Sequence, residues 1–285
     1  VRSADESMQR IVVLNPKGGS GKTTIAVNLA SYFAVRGEAT VLIDHDPQGS
    51  STRWLKKRHP SQPPIYPIAA YEKDARTTRT WQLRVPPGSE RVVVDTPAAL
   101  DARNLPDLTR DAAKILVPVL PSDIDTYAAS RCIADLLLVA KIKRESCRIG
   151  VIANRVRRHT IAYQSLIRFL QTLGIPIVAT IRDSQNYTKG AEMGLGIHEM
   201  KRYIVREDIE QWEPLIAWID SDPPHPDEIR PSAAPLADEA LPAEGPPSAA
   251  AAGDEVPGDD TLEREALRGD GLGADPGAAL ATVAV

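Results

Sequence analysis

The sequence predicts an α/β fold in which a mainly parallel sheet is covered by helices on both faces. Short, β-rich apolar runs recur at residues 10–14, 40–44, 65–69, 91–95, 113–119, 148–153 and 177–181. Stretches with apolar residues at helical spacing lie between them, at 22–35, 50–58, 125–141, 160–173 and 205–219. A strand that is apolar along its whole length must be buried on both faces, and the intervening helices are the elements able to bury it. The third observation is a glycine-rich loop at residues 15–24, set between the first strand and the first helix.

That loop reads Asn15-Pro16-Lys17-Gly18-Gly19-Ser20-Gly21-Lys22-Thr23-Thr24. Glycines at 18, 19 and 21 let the backbone close around phosphate oxygens with its N–H groups inward, Lys22 adds a point charge, and Thr23 offers a hydroxyl to Mg2+. The helix that follows aims its dipole and unpaired amides at the same anion. Gly18, Gly19, Ser20, Gly21, Lys22, Thr23 and Thr24 are therefore read as nucleotide-binding, and the domain as a single P-loop NTPase domain. Lys17 is a second cation where one phosphate tail needs only one, unless it serves the nucleotide of a facing subunit.

The remaining signals follow strands, as expected of a sheet whose ligand sits at the carboxyl ends. The second strand ends in Asp44-His45-Asp46-Pro47-Gln48-Gly49. Carboxylates two residues apart can do different work at one site: Asp46 positions an attacking water, and Asp44 joins the Mg2+ shell or holds Thr23. The alternative is that Asp44 caps a helix and Asp46 opens an Asp-Pro turn. The strand at 91–95 closes on Asp95-Thr96-Pro97, the Walker B pattern of an acid that holds Mg2+ directly or through water. The strand at 148–153 ends in Asn154-Arg155, a pair read as nucleotide-binding; the Asn amide suits an adenine edge, although Asn is also an ordinary turn residue.

Composition divides the chain. Residues 221–285 hold ten of the 24 prolines, no aromatic residue, and fourteen acids against three arginines, a net charge of −11. Such a segment buries too little apolar surface to offset its ordering entropy and is expected to be a disordered acidic tail, acting as a spacer or screening a basic face. With −4 for the whole chain, residues 1–220 carry +7. A basic folded part suits a polyanion such as DNA, or merely a solvated surface. Residues 1–9 are expected to be a flexible N-terminus, with Met8 a candidate start, and 10–220 the folded domain.

Cys132 and Cys147 have no metal-ligand spacing and are expected to be reduced in a cytoplasmic protein. No run approaches a membrane span, and the acidic tail disfavours membrane attachment.

The KGGSGKTT loop with Lys17, the LIDHDPQGS segment, VVVDTPA and the IANR strand end together resemble the ParA/MinD family of deviant Walker A ATPases, over residues 10 to about 219. Pro47 and Gln48 of the DPQG segment, and the expected lack of an extra N-terminal DNA-reading domain, are similar to its short ParA type rather than to the MinD branch. Residues 121–125 and 181–187 are similar to solitary chromosomal ParA-like positioning proteins of the McdA type. The resemblance implies an ATPase using ATP and Mg2+, and an ATP-sandwich homodimer in which Lys17 reaches the partner's phosphates. It also implies Asp46 as the water-positioning acid and Asn154 as the adenine contact.

It further implies non-specific DNA binding, nucleoid association, and a ParB-like or other adaptor that stimulates hydrolysis. The cargo would be a plasmid, a chromosome or a protein assembly. Candidate DNA contacts are Arg182, Lys189, Lys201, Arg202 and Arg206, with Arg157 and Arg158 a second cluster. Gln185 stands where typical relatives have an arginine, which leaves the DNA face open. Two other classes compete: a MinD-like regulator of division or flagellar placement, which needs a membrane-binding helix, and P-loop metabolic or redox relatives, which in the redox case need interface cysteines for an iron–sulfur cluster.

Overall fold

Seven strands form one sheet in the order β3-β2-β4-β1-β5-β6-β7, and every pairing in it is parallel. The computed structural model describes residues 8–72, 83–142, 148–157, 160–172 and 174–221, all within one compact unit, Val1–Pro231. The acidic tail from 222 onward, Arg158 and Cys147 lie outside the described residues.

The strands are β1 (Gln9–Val13), β2 (Thr40–Asp44), β3 (Ile65–Ala69), β4 (Arg91–Asp95), β5 (Lys114–Val119), β6 (Arg148–Val156) and β7 (Ile177–Arg182). The helices are α1 (Lys22–Val35), α2 (Ser50–Lys57), α3 (Leu105–Leu108), α4 (Asp123–Leu138), α5 (Ile161–Thr172), α6 (Gln185–Glu192), α7 (Arg202–Glu210) and α8 (Glu213–Asp220). Single 3₁₀ turns occupy Ala102–Asn104 and Ile197–Glu199.

The period-two pleat sends alternate strand residues into two separate cores. Val12, Val41, Ile43, Val92, Val94, Ile115 and Val117 pack on one face with Ala129, Cys132, Ile133 and Leu136 of α4 and Leu166 and Leu170 of α5. Ile11, Val13, Leu42, Val93, Leu116 and Ile152 pack on the other with Ile25, Leu29 and Phe33 of α1, Trp212, and Leu215 and Ile219 of α8. The central runs of β1, β2, β4, β5 and β6 are thus buried on both sides, as their lack of alternation requires, whereas the edge strand β3 leaves Tyr66 and Pro67 exposed.

Strand order reverses beside β1. Register sets Val13 beside Asp95 and Asp95 beside Asp44, so three strand ends come level at the carboxyl edge where the glycine loop leaves β1. That convergence positions the site.

Several boundaries differ from the sequence reading. The stretch at 205–219 is two helices: Pro214 sits in the first turn of α8, and its missing N–H and its ring prevent one helix from running through. Helix α4 starts at Asp123, earlier than residue 125, because Ser122 accepts the Asp125 N–H at 3.2 Å and caps it there. Strand β6 runs three residues past Ala153 by an irregularity between Ala153 and Val156, so Asn154 and Arg155 lie within the strand, Arg155 with φ 51°. Helix α6 buries only Gly190 and therefore has no apolar periodicity to read. At the N-terminus Met8 packs on the core and Gln9 already belongs to β1, its Nε2 donating to the Ile219 carbonyl at 3.0 Å.

Candidate nucleotide site

The glycine loop is held from outside by three neighbouring elements. Asn15 is fully buried; its Nδ2 donates to the Pro118 carbonyl at 2.7 Å while its Oδ1 accepts the Lys17 N–H at 2.8 Å. The Ala99 N–H donates to the Pro16 carbonyl at 2.7 Å, and Asn154 Nδ2 donates to the Ser20 carbonyl at 2.8 Å. The contacts from Pro118, Ala99 and Asn154 join the loop to β5, to the exit of β4 and to β6, so the loop's path is fixed before any ligand arrives.

Gly21 marks where that path leaves no latitude. Its φ is 93°, and a Cβ there would lie 2.2 Å from Asn154 Nδ2. Gly21→Ala therefore combines a left-handed backbone with a collision, and is expected to cost about 1–3 kcal/mol and to loosen nucleotide binding. Gly18→Ala would meet only Ala98 at 3.8 Å and should keep its melting temperature. Thermal melts of both variants check the difference.

The two lysines occupy different surroundings. Lys22 is 7% exposed, and its Nζ donates to the Lys17 carbonyl at 3.1 Å across the loop. Burial pushes its pKa down, while Asp95 and Asp46 pull it back up. Lys17, whose side chain is 35% exposed, stands at the rim and pairs with Asp125 Oδ2 at 3.2 Å.

The acids of β2 and β4 also differ. Asp44 is buried; its Oδ2 accepts both the N–H and the Oγ1–H of Thr52 at 2.9 Å, and its Oδ1 accepts the Asp46 N–H at 3.0 Å. It thereby caps α2 and fixes the loop that carries Asp46. Asp46 lines the cavity beside Lys22 and accepts the Gln48 N–H at 2.9 Å. Asp95 is completely buried; Ser51 donates to its Oδ2 through a short hydrogen bond, and its Oδ1 has no hydrogen-bond partner. Burial pushes the Asp95 carboxyl up to about 7, against the hydroxyls of Ser51 and Thr23 and the charge of Lys22, with Asp44 adding to the rise.

A cavity of about 430 Å³ opens above the loop, lined by Gly21, Thr24, Asp46, Arg155, Asp183 and Tyr187 among others. Asn154 reaches it with its amide already engaged by Ser20 and by the Arg155 N–H at 3.0 Å. Arg155 pairs with Asp183 at 3.1 Å.

The basic candidates separate in the same way. Arg182 Nε meets Asp208 at 2.7 Å, and its NH1 meets Glu207. Asp208 is fully buried and also accepts from Asn186 at 2.6 Å, so Arg182 braces the turn after β7, and its charge is matched there. Arg206 pairs with Glu210 at 3.0 Å on the surface of α7. Lys189, Lys201 and Arg202 are exposed, with no ion pair among the described residues. Cys132 is buried inside α4, and burial pushes its thiol up to about 12, the opposite of a cluster-ligating thiolate.

Sequence reasoning missed Ser51, Thr52 and Asp125. The Ser122-x-x-Asp125 capping pattern was legible; the contacts of these residues with Asp95, Asp44 and Lys17 join distant segments and left no local signal.

A parallel sheet with a phosphate loop after its first strand, a buried lysine in that loop and an acid closing the neighbouring strand defines a P-loop nucleotide-binding protein. The chain belongs to the CobQ/CobB/MinD/ParA nucleotide-binding domain family, whose sequence model matches residues 11–197. It is 30% identical over 214 residues to the maintenance of carboxysome distribution protein A of Gloeobacter kilaueensis, covering 74% of this chain and 94% of the relative. It is 27% identical over 194 residues to the protein of the same name from Halothiobacillus neapolitanus, covering 67% and 87%. The fold is similar to an ATP complex of a Cyanothece McdA variant, with a TM-score of 0.55 at 18% identity, covering 73% of this chain and 96% of that one.

Proposed function

We propose that residues 10–220 form an ATP-dependent positioning ATPase that dimerises on ATP, binds DNA without sequence preference, and distributes a cargo until a partner stimulates hydrolysis. The observation that carries this reading is the pair of lysines in one loop: Lys22 is buried beneath its own phosphate cradle, and Lys17 stands at the rim, where a facing copy would approach. The relatives' names favour a protein assembly of the carboxysome kind as cargo. The nucleoid would be the track.

Within the site, Gly18 to Thr24 would hold the phosphates, with Lys22 exchanging the Lys17 carbonyl for a phosphate oxygen. Asp46 would orient the attacking water. Among the described residues no cluster of three or more His, Cys, Asp or Glu could hold a metal by itself, so a cation here needs phosphate oxygens, which is how Mg2+ ordinarily binds. The orphaned Asp95 Oδ1 and the Thr23 hydroxyl fit that ion. Both Asp44 oxygens already accept hydrogen bonds, which favours a supporting role for Asp44 over a place in the metal shell. When bound, Mg2+ would neutralise charge developing on the phosphates. Arg155 and Asp183 border the room left for the base, with Asn154 bracing it.

Lys189, Lys201 and Arg202 are the preferred DNA contacts. ATP-loaded protein should retard duplex DNA at low salt and ADP-loaded protein should not. Failure with ATP would remove the physical basis of the reading. Reversing Lys201 and Arg202 to Glu should weaken binding to all sequences alike and reduce the salt slope by about one for each phosphate no longer neutralised.

A further inference from the structure

Lys17 and Asp125 lie 108 residues apart in sequence and meet because β1 and β5 are neighbours. The backbone at Lys17 is pinned, its N–H bound to Asn15 and the preceding carbonyl to Ala99. Only the side chain is free to change partner. Asp125 is 5% exposed; its Oδ2 accepts from Lys17 at 3.2 Å and from the Ser122 hydroxyl, and its Oδ1 is buried with no hydrogen-bond partner.

A buried carboxylate stripped of its cation is ordinarily costly. Here the loss is softened on two sides: Asp125 stands in the first turn of α4, where the helix dipole favours negative charge, and the Ser122 hydroxyl stays with it. The pair is therefore strong enough to hold Lys17 and weak enough to release it. Ile124 and Tyr127, 72% and 71% exposed, leave uncovered apolar surface on the same first turns of α4, the kind of surface a second copy of the chain would cover.

We propose that Asp125 is the holding site of Lys17 in the single copy, a positioning residue that keeps this cation until a second copy presents a phosphate. Exchange of the carboxylate for the phosphate then sets how much ATP dimerisation requires. The inference rests on the reading that Lys17 serves the nucleotide of a facing subunit.

Sedimentation of the full chain over an ATP titration with Mg2+, beside acylation of Lys17 without nucleotide read by mass spectrometry, tests it. Asp125→Asn should form dimers at about tenfold lower ATP, since a buried pair no longer has to open, and Lys17 should react several-fold faster. Ser122→Ala weakens the same helix cap but keeps the charge, and should shift neither reading in the direction of Asp125→Asn, since the carboxylate then leans more heavily on Lys17. An unaltered ATP requirement or an unaltered Lys17 reactivity in Asp125→Asn overturns the holding role, as does Ser122→Ala reproducing the Asp125→Asn shifts, which would reduce Asp125 to a cap. Should Asp125→Asn fail to fold, the wild type still decides: Lys17 should react several-fold more slowly than exposed Lys201, and equal rates overturn the proposal. Absence of any wild-type dimer would instead remove the trans-acting reading of Lys17, and this role with it.

Discussion

Asp46→Ala is expected to bind ATP about as well as the wild type yet to hydrolyse it roughly 100-fold more slowly, leaving dimers trapped on DNA. The expectation follows from where Asp46 sits. Its backbone is fixed by Asp44 and its own carboxylate receives the Gln48 N–H, so the side chain is held at the cavity beside Lys22 without contributing to the core. Removing a group that orients a nucleophile and accepts its proton ordinarily costs about 100-fold or more in rate, with little effect on ground-state binding. Phosphate release and DNA retention measured on one preparation check it. Normal hydrolysis would take Asp46 out of the mechanism.

Lys17→Ala should separate binding from turnover in a different way. Lys22 and the loop amides remain, so nucleotide affinity should stay within a few-fold of wild type. ATP-dependent dimerisation and DNA-stimulated hydrolysis should both be lost, the latter by about 100-fold, the usual effect of deleting one preorganised charge from a phosphoryl-transfer site. Asp125 would be left buried without its cation, so a melting curve must accompany the kinetics. Restored turnover in mixtures of Lys17→Ala with wild type would indicate that one lysine per pair is enough.

Much of the fold was legible because its determinants are local. The runs at 40–44, 65–69 and 91–95 match β2, β3 and β4 residue for residue, the first and last because an apolar centre is closed by an acid, Asp44 or Asp95. The loop and α1 were equally plain from Gly18, Gly19, Gly21 and the periodic residues after them. The sheet order was not legible, because β4 inserts between β1 and β2 by long-range pairing that leaves no trace in the runs themselves. Helix α6 was invisible because its residues are polar on nearly every side. At the site, residue types gave Asp44, Asp46 and Asp95 as a group but left Asp44 open between the Mg2+ shell and a helix cap: it is turned back on Thr52, whereas Asp95 keeps one oxygen without a partner. Arg182 read as a DNA contact because Asp208, 26 residues on, is brought to it only by folding.

Everything proposed for this chain turns on ATP joining two copies of it through Lys17. Sedimentation equilibrium of the full chain with Mg2+ and either ATP or ADP reads that coupling without an intermediary, with Asp46→Ala used to stop turnover during the run. Twice the chain mass is expected with ATP, the single-chain mass with ADP, and the single-chain mass with ATP once Lys17 is also replaced by Ala. One mass in both nucleotides, or a dimer that persists without Lys17, would refute the coupling.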